Sequence, residues 1–292
     1  MSIITNQDTR LIVQGITGRE GTFHTEQMLG YGTNVVAGVT PGKGGKEIHN
    51  VPVFDTVREA VEKTAANTSI LFVPPQHTIN GIYEAIAAGV KTIITIAEHV
   101  PVLDMMKAYH LAKSKGIMLV GPNSFGIISP GKSKVGFMDH KIFKEGSVGV
   151  MSRSATNCYE TVSMMSKAGI GQSTVVGVGG DMIPGTSFID LLPMFEKDEQ
   201  TKEIVMIGEI GGNEEELAAD YIKKYISKPV VALIVGKNAP KGKSMGHAGA
   251  IISADGTGSA QNKEKKLKEA GVHIAESTKD IFEILKEIRL TK

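Results

Sequence analysis

This chain is poor in the residues that mark several protein classes. It has one cysteine, Cys158, no tryptophan, and an aromatic share of 5% in 292 residues. A lone cysteine excludes an intrachain disulfide framework and cysteine-rich metal sites. An excess of one charge is also missing: 32 Lys and Arg stand against 31 Asp and Glu, a net +1. That balance gives no electrostatic footprint for nucleic acid or an anionic membrane. No apolar run reaches the length of a membrane span. The opening Met1-Ser-Ile-Ile-Thr-Asn-Gln-Asp has neither the basic start nor the apolar core of a signal peptide. A soluble, cytoplasmic protein without nucleic-acid or membrane partners is expected.

Glycine, by contrast, is abundant at 34. That suits an α/β protein with many tight turns and close backbone approaches. The length suits two domains. Short β-branched runs at Leu11–Val13, Asn34–Ala37, Ser69–Val73, Thr92–Ile96 and Ile117–Val120 alternate with helical patterns near 22–30, 56–65, 78–88 and 101–115. This predicts a mainly parallel sheet. A Gly, Pro and Lys-rich stretch near 121–146 has no strong period and reads as a crossover. Strands are then expected at Val148–Met151, Thr174–Val176, Ile204–Ile207, Val230–Val235 and Val272–Ile274, with a closing helix over 278–289.

The most informative segment is Lys241-Gly-Lys-Ser-Met-Gly-His247-Ala-Gly-Ala-Ile-Ile252. It sets a histidine among small residues just after a strand. Neutral imidazole is a competent nucleophile near neutral pH; the plain alternative is a surface histidine in a loop. Gly236 and Gly242-Lys243-Ser244 imitate a P-loop, but five residues separate the glycines where the motif needs four. Glu209 stands just past a strand, at the edge where ligands of open α/β sheets collect, and can orient a histidine. The other histidines, at 24, 49, 77, 99, 110, 140 and 273, lack such settings, and no His, Asp and Glu trio has metal-ligand spacing.

Two strand-to-helix turns read as anion sites. Gly15-Ile-Thr-Gly18-Arg-Glu-Gly21 has the spacing G-x-x-G-x-x-G, not the dinucleotide G-x-G-x-x-G, and residues 33–42 lack the acid an NAD site needs. Lys43 follows the second strand instead, which suits an extra phosphate, as on NADP or coenzyme A. At Ser152-Arg-Ser154-Ala-Thr156, Ser154 or Thr156 can cap the next helix. Cys158 falls inside that helix and reads as a small buried residue.

These residues carry a resemblance. Gly-Ile-Thr-Gly-x-x-Gly-Thr-Phe-His, Gly38-Val-Thr-Pro-Gly-Lys-Gly-Gly, Gly121-Pro-Asn, Ser152-Arg-Ser, Gly179-Gly-Asp, Met206-Ile-Gly-Glu-Ile-Gly-Gly and Ala239-Pro-Lys-Gly-Lys-x-Met-Gly-His-Ala-Gly-Ala-Ile-Ile resemble the α subunits of succinyl-CoA synthetase (succinate–CoA ligase, NDP-forming). That family includes the small subunits of citryl-CoA and malyl-CoA synthetases. The match is collinear over nearly the whole chain.

The resemblance implies a Rossmann-type CoA-binding domain over 1–125, a crossover over 126–146 and a flavodoxin-like ligase domain over 147–292. It implies an enzyme that joins a small carboxylic acid to CoA at the expense of ATP or GTP, through an acyl phosphate and a phosphohistidine. His247 matches the phosphorylated histidine and Glu209 its carboxylate partner. Thr17, Gly18, Arg19, Glu20, Lys43, Ile96, Ala97 and Glu98 match CoA contacts. The turn at Ser154 and Ala155 matches the helix start that holds the phosphate, and Tyr159 a residue touching the β subunit. Nucleotide and Mg²⁺ would belong to that β subunit, in an αβ or α₂β₂ assembly; no metal is expected on this chain.

The chain departs from the succinate pattern at the substrate end. It reads Gly121-Pro-Asn123-Ser124-Phe125-Gly for Gly-Pro-Asn-Cys-Pro-Gly, and Ser154-Ala155-Thr156-Asn157-Cys158-Tyr159 for Ser-Gly-Thr-Leu-Thr-Tyr. Ala97 stands where threonine is common. A buried amide needs a partner, so these changes leave citrate or malate as rivals to succinate. A non-catalytic CoA-binding regulatory protein and an NADP-dependent oxidoreductase are the readings of other classes. The first is disfavoured by the presence of both His247 and Glu209, the second by the glycine spacing.

Overall fold

The computed structural model describes residues 2–240, 242–243, 246–254 and 256–291. Lys241, Ser244 and Met245 of the histidine segment lie outside the described residues. The first half runs β1 (Leu11–Gln14), α1 (Arg19–Gly30), β2 (Val35–Val39), β3 (Glu47–Ile48), β4 (Val51–Phe54), α2 (Val57–Thr64), β5 (Thr68–Leu71), α3 (Pro75–Ala87), β6 (Thr92–Thr95), α4 (Val102–Ser114) and β7 (Met118–Val120). Its strands lie in the order β3-β4-β2-β1-β5-β6-β7, parallel throughout except for β3 against β4. Helices cover both faces, so the central strands are apolar runs without alternation; Leu11, Ile12 and Val13 are all fully buried. The order reverses between β1 and β5, which opens a crevice at the C-terminal edge beside the Gly15–Gly21 turn.

The second half runs β8 (Gly126–Ser129), β9 (Ser133–Gly136), β10 (Glu145–Ser152), α5 (Ala155–Lys167), β11 (Gln172–Gly177), α6 (Phe188–Lys197), β12 (Glu203–Glu209), α7 (Glu214–Tyr225), β13 (Val230–Val235), α8 (Ala260–Glu269), β14 (His273–Ala275) and α9 (Thr278–Leu290). The strand order is β14-β13-β12-β10-β11-β8-β9. β14 to β11 are parallel, while β8 runs antiparallel to β11 and to β9. The fold is thus α/β with two mainly parallel sheets. The stretch read as a crossover carries the β8–β9 hairpin of the second sheet. Its glycines serve backbone contact: a Cβ on Gly126 would come within 2.2 Å of the Val135 carbonyl oxygen. Among the described residues no helix is long and apolar enough to cross a membrane.

One buried cluster runs from Leu11 and Val13 through Val120, Ile127 and Val135 to Met151, Val176 and Met206, so the two sheets share a core. Polar contacts also cross between the halves. Thr33 Oγ1 donates to the Lys134 carbonyl and accepts from the Lys134 N–H, at 2.7 and 3.0 Å. Gly185 N–H donates to Gly121 O at 2.7 Å, and Val100 N–H to Asp181 Oδ2 at 3.3 Å. The last of these ties the segment after β6 to the loop after β11.

Candidate active site

β12 ends at Glu209 because Gly211 and Gly212 turn the chain with φ of +91° and +58°. The end of the strand therefore holds a carboxylate at a fixed place. Oε2 of Glu209 lies 2.7 Å from Nδ1 of His247, and Oε1 accepts from Nε of Arg153 at 2.9 Å. The Glu209 and Arg153 side chains are buried, at 8% and 5% exposure, while His247 keeps 29%. Arg153 follows β10, next to β12 in the sheet. Its Nη1 stands 3.7 Å from Glu214 Oε2, and its Nη2 donates to the Asp181 carbonyl at 3.4 Å. One oxygen of Glu209 is thereby neutralised and the other is aimed at the imidazole.

The imidazole is confined on a second side. A Cβ on Gly180 would come within 2.4 Å of Cγ of His247, so the ring lies against glycine backbone. The hydrogen bond to Glu209 raises the His247 pKa above its ordinary value; burial opposes this, the Glu209 charge adds to it, Arg153 opposes it and Glu98 adds to it. A carboxylate on Nδ1 favours the tautomer with its proton on Nδ1 and its lone pair on Nε2. The arrangement can present Nε2 as a nucleophile and stabilise the ring once it carries positive charge.

Two helix N-termini adjoin this group. Ser154, the residue after Arg153, caps α5: its Oγ accepts from Asn157 N–H at 3.4 Å and from Asn157 Nδ2 at 2.8 Å. Ser152 Oγ braces the same turn by donating to Ser154 O at 2.7 Å. α7 opens with Glu214, Glu215 and Glu216, a favourable charge placement at a helix start. Burial raises the Glu214 pKa against the pull of Arg153. A cavity of about 490 Å³ opens here, lined among others by Arg153, Glu214, Gly249, Met182, Ile183 and, from α4, Val102.

The expected CoA contacts gather at the C-terminal edge of the first sheet. Gly18 is the N-cap of α1 and has no side chain to cap the first N–H groups of the helix, a setting that suits an anion. Thr17 Oγ1 donates to Thr40 Oγ1 at 3.2 Å, which joins the turns after β1 and β2. Arg19, Glu20 and Lys43 are exposed; Arg19 and Glu20 pair at 3.0 Å. Ile96, Ala97 and Glu98 follow β6 two strands away and are half-buried. Ala97 O accepts from Asn123 N–H at 2.9 Å, and Asn123 O from Gly180 N–H at 3.3 Å. These bonds form a short backbone bridge from the segment after β6 to the glycine that packs on His247.

The substrate-end departures fall differently. Ser124 is 1% exposed; its Oγ donates to Gly177 O at 2.6 Å and accepts from Gly126 N–H at 2.9 Å. Phe125 is a core residue at 3% exposure, edge-on to Tyr159 with ring centroids 5.5 Å apart. Tyr159 is half-buried, and burial pushes its hydroxyl pKa up. Ala155 is half-buried, Thr156 exposed, and the Asn157 amide nitrogen is engaged by Ser154. Cys158 is fully buried, which raises its thiol pKa and removes it from nucleophilic chemistry. Arg153, Gly180 and Asp181 were not singled out from the sequence, although each lies in a quoted motif. Asp181 is 5% exposed, and burial raises its carboxyl pKa.

Residues 6–99 match the CoA binding domain family and residues 151–273 the CoA-ligase family. The chain is 51% identical over 288 residues to an α subunit of ADP-forming succinate–CoA ligase from Archaeoglobus fulgidus, covering 99% of this chain and 100% of that one. It is 51% identical to the corresponding subunit from Aquifex aeolicus, over 99% and 95% of the two chains. The Staphylococcus aureus subunit is 50% identical, over 98% and 95%. Among solved structures, ATP citrate lyase from Methanothrix soehngenii, in complex with citrate and coenzyme A, superposes with a TM-score of 0.88 at 24% identity. The match covers 98% of this chain and 50% of that one. A dinucleotide-forming acetyl-coenzyme A synthetase from Ca. Korarchaeum cryptofilum superposes with a TM-score of 0.74 at 22% identity, over 94% and 60%. At these identities the two structures speak for the fold.

Proposed function

The chain belongs to the family of α subunits of ADP-forming succinate–CoA ligases, and from that premise we propose that His247 carries phosphate between a nucleotide on a β subunit and the acid. The observation that supports this is the Glu209 carboxylate, held on one side by Arg153 and 2.7 Å from Nδ1 of His247 on the other. Nε2 attacks the γ-phosphorus of the nucleotide; the N–P bond forms as the bond to the β-phosphate oxygen breaks, and NDP leaves. Glu209 stabilises the ring as it gains positive charge. The acid's carboxylate then takes the phosphoryl group as an acyl phosphate. The CoA sulfur adds to its carbonyl and phosphate departs. Mg²⁺ would accompany the nucleotide on the β subunit. On this chain, Thr17 to Glu20, Lys43 and Ile96 to Glu98 form the proposed CoA seat, and the N-terminus of α5 the phosphate seat.

Succinate is the proposed acid. Ser124 and Phe125 are buried among backbone and core, and the amide nitrogen of Asn157 is already engaged. Of these departures only Asn157, half-buried with Nδ2 donating to Ser154 Oγ, keeps hydrogen-bonding capacity to spare, and the support for succinate is the succinate–CoA ligase relatives at about half identity. The test is labelling of the αβ complex with γ-labelled nucleotide. This chain should acquire an acid-labile, base-stable phosphate. His247→Ala should lose both labelling and turnover while binding CoA as before; turnover retained in that variant would refute the mechanism.

A further inference from the structure

Beneath the Glu209 turn lies a charge pair that the proposed chemistry does not touch. Lys263 on α8 and Glu215 on α7 both have fully buried side chains and are ion-paired through Nζ and Oε2. Each also grips the backbone of the turn. Glu215 Oε1 accepts from the N–H of Glu209 at 3.0 Å, and Lys263 Nζ donates to the carbonyl of Gly211 at 2.6 Å. The turn has no slack on the remaining sides. A Cβ on Gly208 would meet Glu215 Oε1 at 2.6 Å, and one on Gly211 would meet Gly249 O at 2.0 Å. The N–H of Gly211 donates to Gly258 O at 2.8 Å.

Taking two charges out of water is costly, and well-packed apolar residues of similar volume often hold a fold as well or better. Apolar residues could not, however, accept from Glu209 N–H or donate to Gly211 O. We infer that Lys263 and Glu215 are positioning residues, a clamp from two helices that fixes the end of β12 and so keeps the Glu209 carboxylate on His247. The inference rests on the phosphohistidine reading, since its purpose is to hold that histidine's partner.

Among the described residues the groups acting on His247 include Glu209, Arg153 and Glu98. Glu215 also acts on Arg153, so the variant that removes both clamp charges and leaves the local net charge unchanged is the one whose effect on His247 reports the turn. Two variants test this in the αβ complex. Lys263→Met breaks the pair. Glu215→Gln/Lys263→Met removes both charges of the fully buried pair, leaving only the partly exposed Glu216 without its 3.8 Å contact to Lys263, and serves if the single variant does not fold. Two readouts are followed: the midpoint of the His247 NMR titration and the rate of phosphoenzyme formation. In both variants the midpoint should fall, as Glu209 slackens, and phosphorylation should slow by about 10- to 100-fold, with CoA affinity within about twofold of wild type. A lower melting temperature with both readouts at wild-type values would overturn the clamp and leave a plain structural staple. Failure of the wild-type complex to label would instead refute the phosphohistidine reading, and the titration midpoint would still judge the clamp.

Discussion

At the scale of single residues, His247 is defined by its neighbours more than by its own loop. The raised pKa has its main cause in the hydrogen bond to Glu209, with burial and Arg153 pulling the other way. Glu209→Gln removes both upward causes that come from Glu209 and leaves only that of Glu98 against burial and Arg153, so the titration midpoint should fall. The sign of the stability effect follows. A histidine whose folded pKa exceeds its unfolded value, near 6.5, adds stability that is fully present below about pH 6.5 and is lost as pH rises through the folded pKa. The stability difference between wild type and Glu209→Gln should therefore shrink on raising the pH through that range, as denaturant unfolding at several pH values would measure. Phosphorylation needs the neutral ring, so its rate should rise with pH, and at lower pH in the variant than in wild type. An unmoved midpoint would mean that Glu209 and His247 are not coupled. The histidine and the acid were legible in the sequence because each sits in a telling place, one among small residues and the other past a strand. Arg153 was not: an arginine between two serines reads as solvated, and only the pairing of β10 with β12 buries it. Lys263 was hidden more deeply, since Ala260-Gln-Asn-Lys-Glu-Lys-Lys-Leu267 reads as a charged surface helix until α7 packs against it.

At the scale of elements, the turns after strands hold the residues of the proposed chemistry, and glycine sets how closely they approach one another. The loop after β11 brings Gly180 against the imidazole face. Gly180 has no positive φ that would by itself exclude a side chain. Gly180→Ala should therefore keep the backbone and displace the ring, because the added methyl needs the space of Cγ and Nδ1. We expect folding and CoA binding near wild type, with phosphoenzyme formation lowered on the order of 100-fold, the cost of misplacing a reacting group by about 1 Å. Labelling at the wild-type rate would show that the ring works from another position. The regular elements were readable from β-branched runs and helical spacing. The missed strands share a cause. β3 and β4 are short, and β4 contains Pro52, while β8 and β9 carry glycines at the positions where their backbones meet. Propensity argues against a strand at such positions, and tertiary packing decides otherwise.

At the scale of the whole molecule, the two sheets divide the work. The first offers the N-terminus of α1 and Lys43 at its C-terminal edge; the second holds His247, Glu209 and Arg153. One link between these residues is the backbone bridge from Ala97 through Asn123 to Gly180, with Val100 N–H on the Asp181 carboxylate beside it. This division predicts separable losses. Lys43 is exposed, in the turn after β2 that Thr40 joins to the Thr17 turn before α1, where a phosphate of CoA would neutralise it. Losing one charge-assisted contact should weaken CoA binding by about ten- to a hundredfold, so Lys43→Ala should raise the Kd for CoA by that factor in calorimetry. Lys43 takes no part in the proposed transfer of phosphate from nucleotide to His247, and the rate of that transfer should be unchanged in the same variant. Dephospho-CoA sharpens the test. If Lys43 meets the ribose phosphate, wild type and Lys43→Ala should bind dephospho-CoA alike; if it meets the pyrophosphate, the variant's deficit should persist. A Lys43→Ala protein that bound CoA normally would place this lysine in solvent and leave the anion seat to the helix start alone.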